Sequence, residues 1–180
     1  MVLRGVYFAD GCTVKCKVVS IDWNLGFDRA AKHEYHKRIV EQLNGCCGRV
    51  AEVTTSSANY DTRMLSPVFV RMRTNPAMSV EDYLREVQTT IPDIFTYIPL
   101  VDYYYITNLS NKNLETLHQY DAYCDVFHNP NKGWGNTQAE SLAVLRALEN
   151  DNHVHLLKDY NAFLGWYTHV LKTEFIWCGR

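Results

Sequence analysis

The chain has 180 residues, of which 47% are hydrophobic and 13% aromatic, and its formal net charge is −2. A chain of this length buries roughly two thirds of its unfolded surface, so its core needs no disulfide staples. The slight negative charge argues against a protein that tracks a polyanion with a broad basic face, although a local basic pocket stays open. No apolar stretch approaches the roughly 20 residues that span a bilayer, and the N-terminus lacks a signal-peptide pattern. We therefore expect no membrane association.

The six cysteines are irregularly spaced, and two of them are adjacent. Cys12 and Cys16, followed by His33 and His36, have the short spacers of a two-Cys, two-His zinc site. However, Cys16 lies in an alternating pattern that turns it into the core, and both histidines lie in a highly charged helical segment. We predict structural cysteines and surface histidines, with no metal and no cofactor. Reduced thiols in turn favour a cytoplasmic location.

The hydrophobic pattern predicts strands and helices that alternate along the chain. Residues 2–22 form a predicted hairpin around Asp10-Gly11. Apolar residues at every fourth position from Phe27 predict a helix over residues 27–44, ending at Gly45. The other predicted strands are residues 49–55, 65–73, 123–128 and the tyrosine run 103–105. Another predicted helix begins after Ser79, and the others cover residues 111–119, 137–148 and 156–172.

This order predicts a mixed α/β fold with a central sheet flanked by helices. No repeat, linker or low-complexity segment divides the chain, so residues 1–180 are expected to form one domain. Folds of this kind usually bind ligands in loops at the ends of strands. Two loops qualify, residues 56–67 and residues 129–138.

Three short motifs carry the functional signal, because no nucleophile elbow, P-loop or dinucleotide glycine fingerprint is present. They are R-M-L-S-P-V-F at 63–69, S-V-E-D-Y at 79–83 and Y-D-A-Y-C-D-V-F-H-N-P at 120–130, which runs on to G-W-G-N at 133–136. In this order they resemble the NADAR family, whose members carry an L-S-N-F-like stretch, S-V-E opening a helix and a late W-G. Related bacterial and phage proteins add a Y-D-A-F-x-D-x-x-x-N-P block.

The resemblance implies an α/β fold that recognises ADP-ribose attached to another group. In active members it also implies hydrolysis of the N-glycosidic bond, notably removal of ADP-ribose from modified guanine. The implied ligand is an ADP-ribose-like small molecule or an ADP-ribosylated base. The lysine that is usual in the helix after S-V-E is absent, and Arg85 is the basic residue that could stand in for it.

Two carboxylates are candidate catalytic groups. Glu81 could stabilise the oxocarbenium-like centre of N-glycosidic cleavage or activate water. A Glu in the first turn of a helix is also favoured by the helix dipole, with no further role. Asp125 is either a catalytic acid or a charge at the end of a strand.

Five further positions are candidate ligand-binding residues. Arg63 could pair with a pyrophosphate, and the resemblance adds Ser66. Trp134 could stack on a base or anchor its loop. Free backbone N–H groups near Gly135 and the helix start at Asn136 suit a phosphate, and ordinary helix capping explains them equally well.

Three functions remain open from the sequence. The first is an N-glycosidase that acts on an ADP-ribosylated base. The second is a non-catalytic protein that sequesters or senses an ADP-ribose-derived nucleotide, as a phage sponge would. The third is a protein-interaction module, for which the abundant tyrosines would suit an interface. The oligomeric state is left open.

Overall fold

The computed structural model describes residues 1–91, 93–127 and 137–177. Its strands are β1 (Val2–Asp10), β2 (Thr13–Ile21), β3 (Val50–Glu52), β4 (Ala122–Cys124) and β5 (Lys172–Trp177). Its α-helices are α1 (Arg29–Leu43), α2 (Tyr60–Arg63), α3 (Val80–Gln88), α4 (Ile94–Asn108), α5 (Asn111–Leu117), α6 (Gln138–Asn150) and α7 (Tyr160–His169), and a 3₁₀ helix covers Val154–Lys158.

The strands form one mixed sheet in the order β3-β4-β1-β2-β5. The predicted hairpin is confirmed, since β1 and β2 pair antiparallel from Val2 opposite Ile21 to Asp10 opposite Thr13. Gly11 takes the first loop position with φ +58°, which glycine adopts without steric cost. β4 joins β1 antiparallel, while β3 and β5 extend the sheet at its two edges through parallel pairs.

Helices cover both faces of the sheet, which confirms the predicted fold class. On one face α1 packs Tyr35 and Ile39 against Val6 and its neighbours. On the other face Tyr7 joins the larger core, which α3, α4, α6 and α7 complete. Side chains that alternate along β1 and β2 are therefore buried on both faces.

Most of the predicted helices are confirmed, and the residue that caps each of them directly precedes its first turn. Asp28 caps α1, Ser79 caps α3, Ser110 caps α5 and Thr137 caps α6, in each case by accepting a backbone N–H of the first turn. Phe27 differs from the prediction, because it precedes the helix and is 70% exposed.

The predicted strand over residues 65–73 is wrong. The segment is a series of turns in which the Ser66 carbonyl accepts the amides of Phe69 (2.9 Å) and Val70 (3.2 Å). Its sheet-like pairing is one isolated bridge between Arg71 and Ser79, with backbone bonds from Val80 to Val70 (2.9 Å) and from Met72 to Met78 (3.0 Å). Pro67 lacks the N–H that an interior strand requires, which favours the turn over the ladder.

The tyrosine run 103–105 is helical, so its prediction as a strand is also wrong. The residues lie in α4, where the Thr107 hydroxyl donates back to the Tyr103 carbonyl (2.7 Å). Tyr105 is buried, while Tyr103 and Tyr104 are half-buried. Aromatic residues favour strands only weakly, and here packing against α6 and α7 overrides that preference.

The C-terminal helix predicted over residues 156–172 is divided, and β5 after it was not predicted. Asp159 ends the 3₁₀ helix and caps α7 by accepting the Ala162 amide (2.8 Å). β5 then lies parallel to β2. The strands predicted at 49–55 and 123–128 shorten to the three residues of β3 and β4. In the part of the chain that the structure describes, no helix has both the length and the apolarity to cross a membrane.

Candidate functional site

A cavity of about 400 Å³ opens between α3 and the end of β4. It brings together four of the residues singled out from the sequence, Ser66, Glu81, Arg85 and Asp125. The rest of the lining is Thr54, Thr55, Pro67, Val68, Leu84, Gln88, Tyr97, Val101, Tyr105, Phe127, Gln138 and Ser141. This size lies within the range of roughly 300–1,000 Å³ that is usual for small-molecule pockets.

The first turn of α3 places Glu81 at the cavity. Ser79 accepts the Asp82 amide (3.1 Å) as N-cap, and the Glu81 amide donates to the Pro67 carbonyl (3.2 Å). The second bond joins α3 to the turn that carries Ser66. One turn later Arg85 pairs with the Glu81 carboxylate at 2.5 Å, with the Glu81 side chain 38% exposed and that of Arg85 71% exposed. We name this side of the cavity the α3 wall.

The opposite side, the β4 wall, presents the carboxylate of Asp125 directly after β4. One oxygen accepts the Phe127 amide (2.8 Å), and the other accepts Nε2 of Gln138 (3.3 Å) from the first turn of α6. The same Gln138 nitrogen lies 3.3 Å from the Val53 carbonyl. The Phe127 amide and the Gln138 side chain thus orient the two oxygens of Asp125.

Two buried charged residues lie behind the β4 wall. Arg4, from β1, donates through Nε to the Val126 carbonyl, and the carboxylate of Asp125 opposes the lowering that burial imposes on the pKa of its guanidinium. Glu52, at the end of β3, is 5% exposed and accepts the Thr54 amide (3.1 Å). Burial raises the pKa of the Glu52 carboxyl above its ordinary value. Glu52 faces α1, where it lines a smaller cavity of about 160 Å³ with His33 and His36.

Two tyrosines of α4 close the back of the cavity. The buried Tyr105 hydroxyl donates to the Leu65 carbonyl, and the Tyr97 hydroxyl donates to the Leu84 carbonyl (3.2 Å). Burial raises the pKa of both phenols. Both phenols are therefore neutral. Their hydrogen bonds hold the turn that contains Ser66 and the helix α3 that contains Glu81.

Arg63 does not line this cavity. Its guanidinium carbon lies 5.5 Å from the centre of the Tyr60 ring. Its role in binding a pyrophosphate stays a prediction. Trp134, Gly135 and Asn136 lie outside the described residues, as does most of the predicted ligand loop 129–138, so their roles stay predictions too.

The zinc-like arrangement of cysteines and histidines is not assembled. Cys16 is fully buried on the sheet face that packs against the larger core, whereas His33 and His36 lie on α1 across the sheet. His36 instead contacts the Val50 carbonyl through Nε2 (3.2 Å). Across residues 1–91, 93–127 and 137–177, no three His, Cys, Asp or Glu side chains form a group that could hold a metal ion.

The sequence motifs missed several cavity residues, notably Gln138, Thr54 and Thr55. Gln138 closes the predicted ligand loop, and its position right after the Thr137 cap is the one local signal that marks it. The two threonines directly precede the other predicted loop. No local sequence pattern predicts the contact of Gln138 with Asp125, which lies 13 residues earlier in the chain.

Comparison with protein families gives a match to the DarT1-associated NADAR antitoxin family over residues 88–174. The matched segment includes Asp125 and Gln138 on the β4 wall and begins after Glu81. A comparison with curated proteins finds no match. The family is the one that the motifs resemble, and the match covers the third of the three motifs. The chain is thus NADAR-like, on a match that covers just under half of its residues.

Proposed function

We propose that the cavity binds an ADP-ribose-derived nucleotide and that its two carboxylates hydrolyse the N-glycosidic bond of that ligand, as for an ADP-ribosylated guanine. One observation carries the proposal. Residues from three separate motifs, which the resemblance singled out independently of any structure, line the same cavity: Ser66, Glu81 with Arg85, and Asp125. A shared ligand explains this convergence better than three separate structural roles.

The lining suits a polar, phosphorylated ligand. Arg85 supplies a cation that is largely exposed, and Thr54, Thr55 and Ser66 supply hydroxyls. Arginine binds phosphate oxygens through two parallel N–H groups, so a pyrophosphate near Arg85 would be recognised by charge and shape. Val68, Leu84 and Val101 supply apolar surface for the adenosine or ribose faces.

The proposed reaction is the attack of water on the anomeric carbon of the ribose that carries the base. The C–N bond breaks, a C–O bond forms, and the proton lost by water passes through a carboxylate to the departing nitrogen. A carboxylate beside the anomeric carbon also stabilises the positive charge that develops there. Glu81 and Asp125 are the cavity groups proposed for these roles, with Asp125 already oriented by two donors.

The family name suggests a biological role for this reaction. The matching model describes antitoxins associated with DarT1. We extend that description to this chain as a proposal, in which removal of ADP-ribose from a modified base reverses a toxic modification. The whole chain, residues 1–180, would act as one NADAR-like domain.

A second candidate is sequestration without turnover. Arg85 holds the Glu81 carboxylate at 2.5 Å, and the helix lacks the lysine usual in the family. A protein whose Glu81 carboxylate is neutralised in this way would still bind the ligand but would catalyse its hydrolysis poorly. The third candidate, a protein-interaction module, is less well supported, because only Tyr60 among the twelve tyrosines is exposed.

A thermal-shift screen tests the binding proposal. The protein is melted with NAD, ADP-ribose, cyclic ADP-ribose isomers and ADP-ribosylated guanosine. A ligand at about 100 times its Kd stabilises the native state by about 2.7 kcal/mol, which raises the Tm of such a domain by several degrees. The Ser66→Val variant, which removes a cavity hydroxyl, should give a smaller rise. Absence of any rise in the wild type contradicts both the hydrolase and the sequestering protein.

A further inference from the structure

Another cavity, of about 380 Å³, lies where the turn segment 64–73 meets the end of α4 and the start of α5. We name it the α5 cavity. Its volume also falls within the range of roughly 300–1,000 Å³ that is usual for small-molecule pockets. It shares no lining residue with the cavity that contains Glu81 and Asp125. The nucleotide proposed above therefore gives the α5 cavity no role.

Hydrogen bonds join the two sides of the α5 cavity. The side-chain amide of Asn113 donates to the Met64 carbonyl (3.1 Å), and the Asn108 side chain accepts the Arg73 amide (2.6 Å). A guanidinium nitrogen of Arg73 also donates to the Leu109 carbonyl (3.0 Å). These bonds tie the turn segment to α4 and α5, so the cavity is formed before any ligand binds.

Apolar side chains line much of the α5 cavity. Val70 and Met72 are buried at its base, while Met64 and Phe69 are half-buried. A ligand that covers the exposed part of these side chains removes apolar surface from water, which is favourable. Methionine side chains also adapt to the shape of what they contact. The lining therefore suits a ligand with an apolar body.

Positive charge is concentrated at the same cavity. Among the described residues its charged lining consists of Arg71, Arg73 and Lys112 with a single carboxylate, Asp61, which lies 3.7 Å from the Lys112 ammonium. Arg71 is exposed, and within the part of the chain that the structure describes its guanidinium makes no hydrogen bond or ion pair. This local positive excess contrasts with the net charge of −2 of the whole chain.

We propose that the α5 cavity binds a small amphipathic anion, whose apolar body covers Phe69 and the two methionines and whose carboxylate, sulfonate or phosphate group binds Arg71. A guanidinium presents paired N–H groups that match two oxygens of such a group. A neutral apolar ligand would leave Arg71 without a partner, and a wholly polar anion would leave the apolar lining uncovered. This site is separate from the proposed function and does not depend on it.

The experiment is a fluorescence titration with anilinonaphthalene sulfonate, a dye that carries a sulfonate on apolar rings and brightens on apolar surface. Binding to the wild type should saturate at a single site. Arg71→Gln should raise the Kd about tenfold, as for loss of one charge-assisted bond. Lys112→Gln should raise it less, because Asp61 already pairs with that ammonium. Arg29→Gln is the matched control, since Arg29 is an exposed arginine that lines neither cavity.

Competition separates the anionic group from the apolar body. Octanoate should displace the dye, and octanol, which lacks the carboxylate, should displace it about tenfold more weakly. ADP-ribose should leave the dye bound, because its proposed site is the other cavity.

Several results overturn the inference. They are no saturable binding of the dye, equal values of Kd in Arg71→Gln and Arg29→Gln, or displacement by octanol as effective as by octanoate. Displacement by ADP-ribose would also overturn it, since the dye would then occupy the cavity of Glu81. The absence of a thermal shift with ADP-ribose, by contrast, contradicts the proposed function alone.

Discussion

The two walls of the cavity present similar carboxylates in different surroundings. On the α3 wall Glu81 is paired with a full positive charge, Arg85, one turn along the same helix. On the β4 wall Asp125 accepts the Phe127 amide and the side-chain amide of Gln138 from a separate helix, and its charge interacts with that of the buried Arg4. The first arrangement depends on local sequence, whereas the second depends on contacts between elements.

The contrast is between an ion pair within one helix and a carboxylate oriented by bonds from two elements. An exposed i,i+4 ion pair adds only a few tenths of a kcal/mol to stability, so the pair of Glu81 with Arg85 needs no structural purpose beyond that. The bonds to Asp125 fix a direction for its carboxylate, which is the property that positions a water or a sugar hydroxyl. The family match also includes Asp125 and excludes Glu81. We therefore expect both carboxylates to matter and the β4 wall to be the less tolerant of change.

Removing the charge of Asp125 should have the largest effect. Asp125→Asn keeps an acceptor for Phe127 and removes the carboxylate, so single-turnover hydrolysis should slow by about 10²-fold or more. The matched control is Asp121→Asn, at the other end of β4, where the Asp121 carboxylate accepts the Arg49 amide (2.8 Å) and does not line the cavity. Equal rates of hydrolysis in Asp125→Asn and the wild type would show that the β4 wall takes no part in the reaction.

The free energy of unfolding of the protein should depend on pH through Glu140, which lies two residues after Gln138 of the β4 wall. Burial, with the neighbouring Asp102, raises the pKa of Glu140 to about 8 from an ordinary 4.5. The native carboxyl therefore keeps its proton where the unfolded chain has lost it, so the free energy of unfolding falls as the pH rises from about 4.5 through 8.

Glu140→Gln cannot ionise and should lack this fall. Between pH 5 and pH 8 the variant should gain roughly 2–4 kcal/mol relative to the wild type, measured by denaturant unfolding. Glu115→Gln, on an exposed face of α5, is the control and should follow the wild type. Parallel pH profiles for Glu140→Gln and the wild type would contradict a protonated Glu140.

The smallest effect is expected at Arg85. Arg85→Gln removes the cation from the α3 wall and should weaken binding of ADP-ribose about fivefold to tenfold, measured by calorimetry, as for loss of one charge-assisted bond. Lys37→Gln on α1 is the control, because it removes an equal charge from another exposed i,i+4 pair. If the two variants bind ADP-ribose equally well, Arg85 does not contact the phosphates.

The α3 wall could be predicted from the sequence because its determinants lie within a few residues. The Ser79 cap and the apolar stripe of Val80 and Leu84 define the helix, and its start fixes where Glu81 points. Asp125 was also found, through the motif at residues 120–130. Its partner Gln138 was not found, because only the packing of α6 against β4 brings the two together.

The errors in the fold have a similar cause. At residues 65–73 the alternation of Val68, Val70 and Met72 predicted a strand, but the carbonyl of Ser66 closes turns instead. β5 was missed because a short edge strand depends on its pairing with β2, which no local pattern records. Local signals define helix caps well, while turns around a proline and strand partners depend on the rest of the chain.

The central claim is that the carboxylates of this cavity cleave the N-glycosidic bond. The most direct measurement is single-turnover release of ADP-ribose from an ADP-ribosylated guanine substrate, with wild type beside Glu81→Gln and with Glu86→Gln, an exposed neighbour on α3, as control. The account predicts release by the wild type and the control, and a loss of about 10²-fold or more in Glu81→Gln with binding changed far less. A wild type that binds the substrate and returns it intact after hours would contradict hydrolysis and leave sequestration as the function.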